Sequence, residues 1–262
     1  MFVNVKKNTI SFGFFVILLT FNLFISCKST SSYQTIKIEG KKIGITEAKG
    51  ENKAIANYVK PYSDNINKDL NSVLAYCPET QDKSKGTWQT NIGNLLAQIT
   101  FELGNPVFQK RENKNIDICL LNNGGIRAVI AKGDVTTRTA FEVMPFENSL
   151  VIVGLTGKEI KTLAEYFIKD KKPHPLFGMK IYIEKNSLAI KKIEINNQPL
   201  EDNRLYYVAT SDYLANGGDN MTFFKDSTIK FDMDYKLRNM LIDYFKKVDT
   251  IPNITTEKII LE

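Results

Sequence analysis

The sequence predicts a mixed-sheet α/β domain built in layers, and three observations carry that expectation. Apolar residues recur at helical spacing around residues 90–104, 158–170 and 237–245. Short apolar or alternating runs of strand length lie at 116–121, 150–155, 178–184, 188–195 and 205–210. The two kinds are interleaved, with hairpin-like spacing late in the chain. The 262 residues are 43% hydrophobic and 24% charged, with 15 Gly and 8 Pro, which excludes a disordered, collagen-like or low-complexity chain and suffices for a core.

Taken in order, residues 35–46 (TIKIEGKKIGIT) alternate about Gly40 and suggest a small hairpin. Residues 53–68 have a helical pattern despite Pro61. Thr90 is placed to cap a helix whose positions Ile92, Leu95, Leu96, Ile99 and Leu103 share a face until Gly104 ends it. Residues 116–121 form a buried strand that runs straight into Asn122-Asn123-Gly124-Gly125. Residues 150–155 are another strand, and Thr156-Gly157 turns it into a helix with Ile160, Leu163, Ala164, Phe167 and Ile168 on one side. The last helix carries Leu237, Met240, Leu241, Tyr244 and Phe245. With no internal repeat and no long linker, residues 33–262 are expected to form one domain.

Residues 1–26 have the organisation of a bacterial lipoprotein signal peptide. Lys6 and Lys7 precede an apolar stretch over 12–25, and Ile25-Ser26 leads directly to Cys27. The stretch is shorter than the roughly 20 residues of a spanning helix. Cys27 is thus the expected lipidation site, residues 27–32 a polar tether, and the location extracytoplasmic, on the membrane of a bacterium. Of the other cysteines, Cys119 lies in an apolar run and reads as a small buried hydrophobe, while a bond to Cys77 stays open.

Removing Lys6 and Lys7 from the formal charge of +6 leaves about +4, a mild excess that suits anionic ligands. No basic stripe with interleaved aromatics argues for nucleic acid. A single histidine, His174, argues against a two-metal hydrolase centre or a His-based nucleophile within this chain; His174 itself is expected at the surface.

Three loops contain residues that a core does not require. In Asn122-Asn123-Gly124-Gly125-Ile126-Arg127, paired glycines permit positive φ and close backbone approach, and Arg127 offers a planar fork for phosphate or carboxylate. The commoner object is a turn with a surface arginine. In Met144-Pro145-Phe146-Glu147-Asn148, proline presets a turn and Phe146 lacks any core periodicity. It is either a face for stacking a planar base or a plug folded over the core. In the third, 212–219, Tyr213 precedes Gly217-Gly218-Asp219. Asp219 can accept two hydrogen bonds from a vicinal diol or can cap its own turn. Together the loops hold the parts of a nucleoside or nucleotide pocket.

These residues, in order, resemble the C-terminal domain of the 5'-nucleotidase / UDP-sugar hydrolase family. The motifs are Asn122-Asn-Gly-Gly-Ile-Arg127, Gly133-Asp-Val-Thr136, Pro145-Phe-Glu-Asn148, Leu155-Thr-Gly-Lys158 and Tyr213-Leu-Ala-Asn-Gly-Gly-Asp219, with Thr90-Asn-Ile-Gly-Asn-Leu-Leu upstream. The resemblance covers roughly residues 50–262. It implies a layered α-β-β-α sandwich that binds the nucleotide, while a separate metallophosphatase domain holds two metal ions and hydrolyses. By motif, Phe146 and Tyr213 are the base-stacking pair, Asp219 the ribose acceptor, Asn122 a pocket amide and Arg127 the anion-binding arginine. Asn148 follows the stacking Phe. Where some members place further phosphate-contacting arginines, this chain has residues 81–86 (QDKSKG), with Lys83 and Lys85 as possible substitutes. No Asp-x-His or Asn-His-Asp/Glu motif for metals is present.

The resulting expectation is a lipid-anchored, nucleotide-binding half of a 5'-nucleotidase serving nucleotide salvage. Its ligand would be an AMP-like nucleotide or nucleoside. No cofactor is expected in this chain, and the divalent metal pair would sit on a metallophosphatase partner. The alternatives are a non-catalytic nucleoside-binding lipoprotein and a hydrolase acting alone.

Overall fold

The computed structural model describes residues 13–17 and 33–262. Cys27, the tether and all of the expected signal segment except residues 13–17 lie outside the described residues. Among the described residues no helix is long and apolar enough to cross a membrane. The chain divides into two units, Met1–Lys53 and Ala54–Glu262.

In the first unit the expected hairpin at 35–46 does not form. That backbone is extended but unpaired, and every residue in it is exposed, ahead of a single tight turn at Glu47–Lys49. Ile36, Ile38, Ile43 and Ile45 alternate as a strand should, yet no third strand or apolar surface covers them, and an isolated hairpin is marginal in water. The compact domain therefore begins later than residue 33.

The second unit runs through α1 (Lys53–Leu70), β1 (Val73–Cys77), α2 (Asn91–Glu112), β2 (Ile118–Leu120), β3 (Gly133–Thr136), α3 (Thr137–Val143), β4 (Ser149–Thr156) and α4 (Gly157–Asp170). It continues through β5 (Leu176–Phe177), β6 (Met179–Ile183), β7 (Ile190–Ile195), β8 (Gln198–Pro199), β9 (Leu205–Ser211), α5 (Asp212–Ala215) and α6 (Thr222–Lys225). The last elements are β10 (Lys230–Lys236), α7 (Leu237–Lys247) and β11 (Ile259–Leu261).

A five-stranded sheet in the order β10-β4-β9-β2-β5 is the centre of the domain. It is mixed, because β2 runs parallel to β9 while β4 runs antiparallel to β9 and β10. The two-residue period of its strands sorts two cores. Cys119, Leu150, Ile152 and Ala209 point into one, with Leu95, Leu96 and Ile99 of α2 and Met240, Leu241 and Phe245 of α7. Ile118, Leu120, Val151, Val153 and Val208 point into the other, which holds Ile160, Leu163 and Phe167 of α4. The four-stranded sheet β11-β6-β7-β8 adds Ile181, Ile183 and Ile193 there. This is the layered mixed α/β architecture that the pattern and the resemblance implied. Cys77 and Cys119 are both buried free thiols.

Local rules set most boundaries. Thr90 accepts from the Gly93 N–H at the start of α2, and Thr156 and Glu159 form a reciprocal capping box on α4. Gly104 does not end α2, which continues to Glu112 before Asn113 closes it in a left-handed conformation. A Cβ on Gly104 would lie 2.9 Å from the Leu150 side chain, so glycine here serves close helix–sheet packing rather than termination. The helix at 53–68 forms as α1 despite Pro61, with no residue buried.

Candidate ligand site

The first and third loops leave β2 and β9 and the second leads into β4, antiparallel to β9; the three strands are neighbours in the central sheet, and this topology gathers residues that are distant in sequence. The first loop departs from β2 as a tight turn at Asn123–Gly125. Gly124 and Gly125 do not take the positive φ expected of them. A Cβ on Gly125 would instead come within 2.9 Å of Asn122 Oδ1, so this glycine clears room for the Asn122 side chain. Asn122 Nδ2 donates to Asp219 Oδ2 at 2.9 Å, joining the first loop to the third.

In the third loop Gly217 has φ of +90°, and Asp219 itself sits in the left-handed region at φ 52°. The Tyr213 ring lies over Gly218, where a Cβ would approach within 2.5 Å of it. Tyr213 Oη donates to Asp219 Oδ1 at 2.9 Å and accepts from the Asp219 N–H at 3.2 Å. That bond to the carboxylate raises the Tyr213 pKa. Asp219 is thus neither a simple turn cap nor a bare acceptor. A carboxylate has about four lone-pair positions, and Asn122 and Tyr213 fill two, leaving one on each oxygen for an incoming hydroxyl pair.

Phe146 is 48% exposed and Tyr213 45%, so neither is a plug over the core. Among the described residues the two rings do not touch each other. The Arg127 guanidinium lies 5.8 Å from the Phe146 ring centre, and its Nη1 donates to Gly124 O at 3.2 Å. Asn122, Gly125, Phe146 and Asn148 share the lining of one small apolar-floored cavity of about 10 Å³. It has no room for a nucleoside, and the two exposed rings lie outside it. All six expected side-chain positions, Asn122, Arg127, Phe146, Asn148, Tyr213 and Asp219, are brought together by these contacts.

Each loop is held from behind by a residue that sequence reasoning missed. Arg238, on the first turn of α7, donates from Nη1 to Pro145 O at 3.1 Å and pairs through Nη2 with Glu147, whose carboxyl it holds below its ordinary range. Its guanidinium also covers the Phe141 ring at 4.1 Å. Lys236 Nζ donates to Glu147 O at 2.8 Å and Ser149 Oγ at 2.9 Å. Phe146 is therefore presented by a cationic bracket. Nothing local announces it, since Arg238 lies more than ninety positions from Glu147 along the chain.

His174 is a correction. It is 2% exposed rather than at the surface. Its Nδ1 accepts from the Asn123 N–H at 3.1 Å, which puts the proton on Nε2, 2.8 Å from Asp170 Oδ2. Burial holds its pKa below the ordinary value against the pull of Asp170, so the ring is neutral at pH 7. The Asp170 carboxylate, the neutral His174 ring and the Asn123 N–H thus form a relay that braces the first loop. The helix ends at Asp170 and His174 lies in the loop beyond it, so no periodicity announced the contact. Lys83 supports the same loop, donating to Ile126 O at 2.6 Å. Lys85 instead lines a separate cavity with Glu79, Asp82 and Asn91. Behind the third loop, Tyr166 Oη donates to Asp219 O at 2.8 Å, and burial raises its pKa to about 12.

Two exposed aromatic faces, a partly satisfied carboxylate, an amide and an arginine thus share one edge of a layered α/β domain. The 5'-nucleotidase C-terminal domain family matches residues 72–226, more than half of the chain, and the chain belongs to that family. The Trifunctional nucleotide phosphoesterase protein YfkN of Bacillus subtilis (strain 168) is 26% identical over 240 residues, covering 82% of this chain and 15% of that protein. Protein UshA of Escherichia coli (strain K12) is 24% identical over 190 residues, covering 69% of this chain and 32% of its own length. Among solved structures, the 5'-nucleotidase precursor from Thermus thermophilus shares the fold at a TM-score of 0.66 and 24% identity, over 78% of this chain and 42% of that one. The chain spans a third or less of these two curated relatives.

Proposed function

We propose that this chain is the base- and ribose-binding half of a nucleotide phosphoesterase, with an AMP-like nucleotide or its nucleoside as ligand. The observation that carries the reading is the Asn122–Asp219–Tyr213 hydrogen-bonded set on the same rim as exposed Phe146. Phe146 and Tyr213 supply stacking faces for the base, a contact worth about 1–3 kcal/mol per ring by general precedent. Asp219 accepts from the ribose hydroxyls through its two remaining lone pairs. Arg127 keeps donors beyond the one given to Gly124 and faces the phosphate side, with Asn122 and Asn148 supplying amide contacts.

The hydrolytic step is assigned to a metallophosphatase on another chain. The divalent pair of that reaction would sit on that partner. We further propose that Cys27 is acylated, which would hold the domain at a membrane facing out of the bacterial cytoplasm and serve the salvage of nucleotides there. Loss of palmitate labelling and of membrane retention in Cys27→Ala tests the anchor.

For the central reading, the full chain in detergent is titrated calorimetrically with AMP in the presence of Mn²⁺. Saturable heat is expected. Sustained heat flow that scales with protein would mean turnover by this chain alone and would overturn the division of labour. Absence of any heat would overturn the binding assignment.

A further inference from the structure

We propose that His174 makes ligand binding beside Asn122 and Asp219 responsive to acid: a proton on its ring releases the Asn122 loop and, with it, the nucleoside. The ligand is the one proposed above, so this regulation rests on that reading.

His174 sits between two partners of opposite character. Its Nδ1 accepts from the Asn123 N–H at 3.1 Å, and its Nε2 lies 2.8 Å from Asp170 Oδ2. The segment that carries it is tied to the first loop a second time, where the Leu121 N–H donates to Pro175 O at 3.0 Å. Only a neutral ring with its proton on Nε2 fits this arrangement. A protonated ring has an N–H on both nitrogens, and Nδ1–H would face the Asn123 N–H, donor against donor. The ring is 2% exposed, so little solvent reaches Nδ1 as an alternative acceptor.

The acid form has its own acceptor in place. Asn123 Oδ1 is buried and, among the described residues, has no hydrogen-bond partner. A buried acceptor left unpaired is costly. This one belongs to the same residue whose N–H meets Nδ1, so protonation exchanges that residue's donor for its acceptor. The exchange frees the Asn123 N–H and turns the backbone directly after Asn122. Asn122 Nδ2 then loses its aim at Asp219 Oδ2, with which it is bonded at 2.9 Å in the neutral form.

The groups around the ring set where the proton enters. Burial lowers the His174 pKa, the hydrogen bond and charge of Asp170 and the charge of Asp219 oppose that, and Lys172 adds to it. Tyr166 and Phe167 of α4 pack on the ring, and Tyr166, raised to about 12, stays neutral. The exchange therefore falls below about pH 6.5. By linkage, nucleoside and proton oppose each other at this ring.

The test measures the adenosine affinity of the full chain by calorimetry from pH 7.5 to 5. Adenosine, unlike AMP, carries no phosphate that titrates near pH 6. Affinity is expected to fall severalfold, by no more than about tenfold per pH unit because one proton is involved. His174→Asn keeps an acceptor near the Nδ1 position without a titrating ring, and its affinity should stay level. An equally steep fall in His174→Asn, or no fall in the native chain, would overturn the proposal. Asn123→Ala removes the orphan acceptor and should move the midpoint to lower pH; an unmoved midpoint would overturn the exchange. The free chain gives a reading that needs neither variant nor ligand. In NMR the Asn123 N–H and the Asn122 side-chain amide should shift with the same midpoint as the His174 ring. Amides that ignore the ring's titration would overturn the switch. Absence of adenosine binding at pH 7.5 would count against the function proposed above, and the switch is then judged on these amides.

Discussion

The loop carrying Phe146 and the loop carrying Asn122 border the same small cavity but are held by different forces. Phe146 is presented through charge: Arg238 and Lys236 grip the carbonyls and carboxylate of residues 145–147 from the start of α7. Asn122 is presented through a buried imidazole, with neutral His174 taking the Asn123 N–H and donating to the Asp170 carboxylate. The first bracket joins the buried guanidinium of Arg238 to a Glu147 carboxylate that is itself exposed, so one end of the ion pair stays in solvent. The second works in the interior, where an unpaired polar group is expensive and protonation would reverse a hydrogen bond. One rim therefore combines an aromatic face mounted by an ion pair with an amide mounted on a buried imidazole.

The largest expected effect comes from the residue that serves both sides. Asp219→Ala removes the acceptor of Asn122 and of Tyr213 together, and AMP affinity measured by calorimetry should fall by about 3 kcal/mol, the upper range for hydrogen bonds to a charged group. Loss confined to a few tenths would mean that Asp219 merely caps its turn. Phe146→Ala should cost about 2 kcal/mol of AMP binding, by the stacking range, and change the urea midpoint very little because the ring is exposed. Arg238→Met should cost about 1 kcal/mol, the scale of a hydrogen-bond contribution. In a Phe146→Ala background the same change should cost almost nothing if Arg238 acts through the loop.

The relay gives the opposite signature. His174 has a native pKa below its ordinary value, so between the two values the unfolded chain binds more protons than the folded one. Its stabilisation is whole above about pH 6.5 and is lost as the pH falls through the native pKa. Asp170 acts in the same direction: burial alone would raise its pKa, but hydrogen bonds from His174 and Lys172 together lower it. Lys172 and Asp219 are the other charges felt by the ring, and Tyr166 and Phe167 pack beside it. Urea midpoints should drop between pH 7 and 5, and His174→Gln should flatten that drop. An unchanged slope in the variant would remove His174 from the account.

What was legible in the sequence divides along the same line. The helices around Leu95, Ile160 and Leu241 and the strands of the central sheet declared themselves by period, because each buries one face or both. The residues that the three loops gather were legible as a set, since loops rich in Gly, Asn and aromatic residues have no core role to explain them. The failures were of context. The alternation at 35–46 is a sound strand pattern with nothing to pair against, and Gly104 resembles a helix stop until Leu150 is seen above it. The loop mounts, Arg238 and His174, act across the fold, and no local spacing encodes a contact between residues 147 and 238.

The central claim is that the two exposed rings receive the base. Its most direct measurement is a titration of the full chain with adenosine, following the ring protons of Phe146 and Tyr213 by NMR. The account predicts that both rings shift saturably with one common affinity, and that Asp219→Ala weakens binding at both. Saturable binding that leaves both rings unshifted would contradict it.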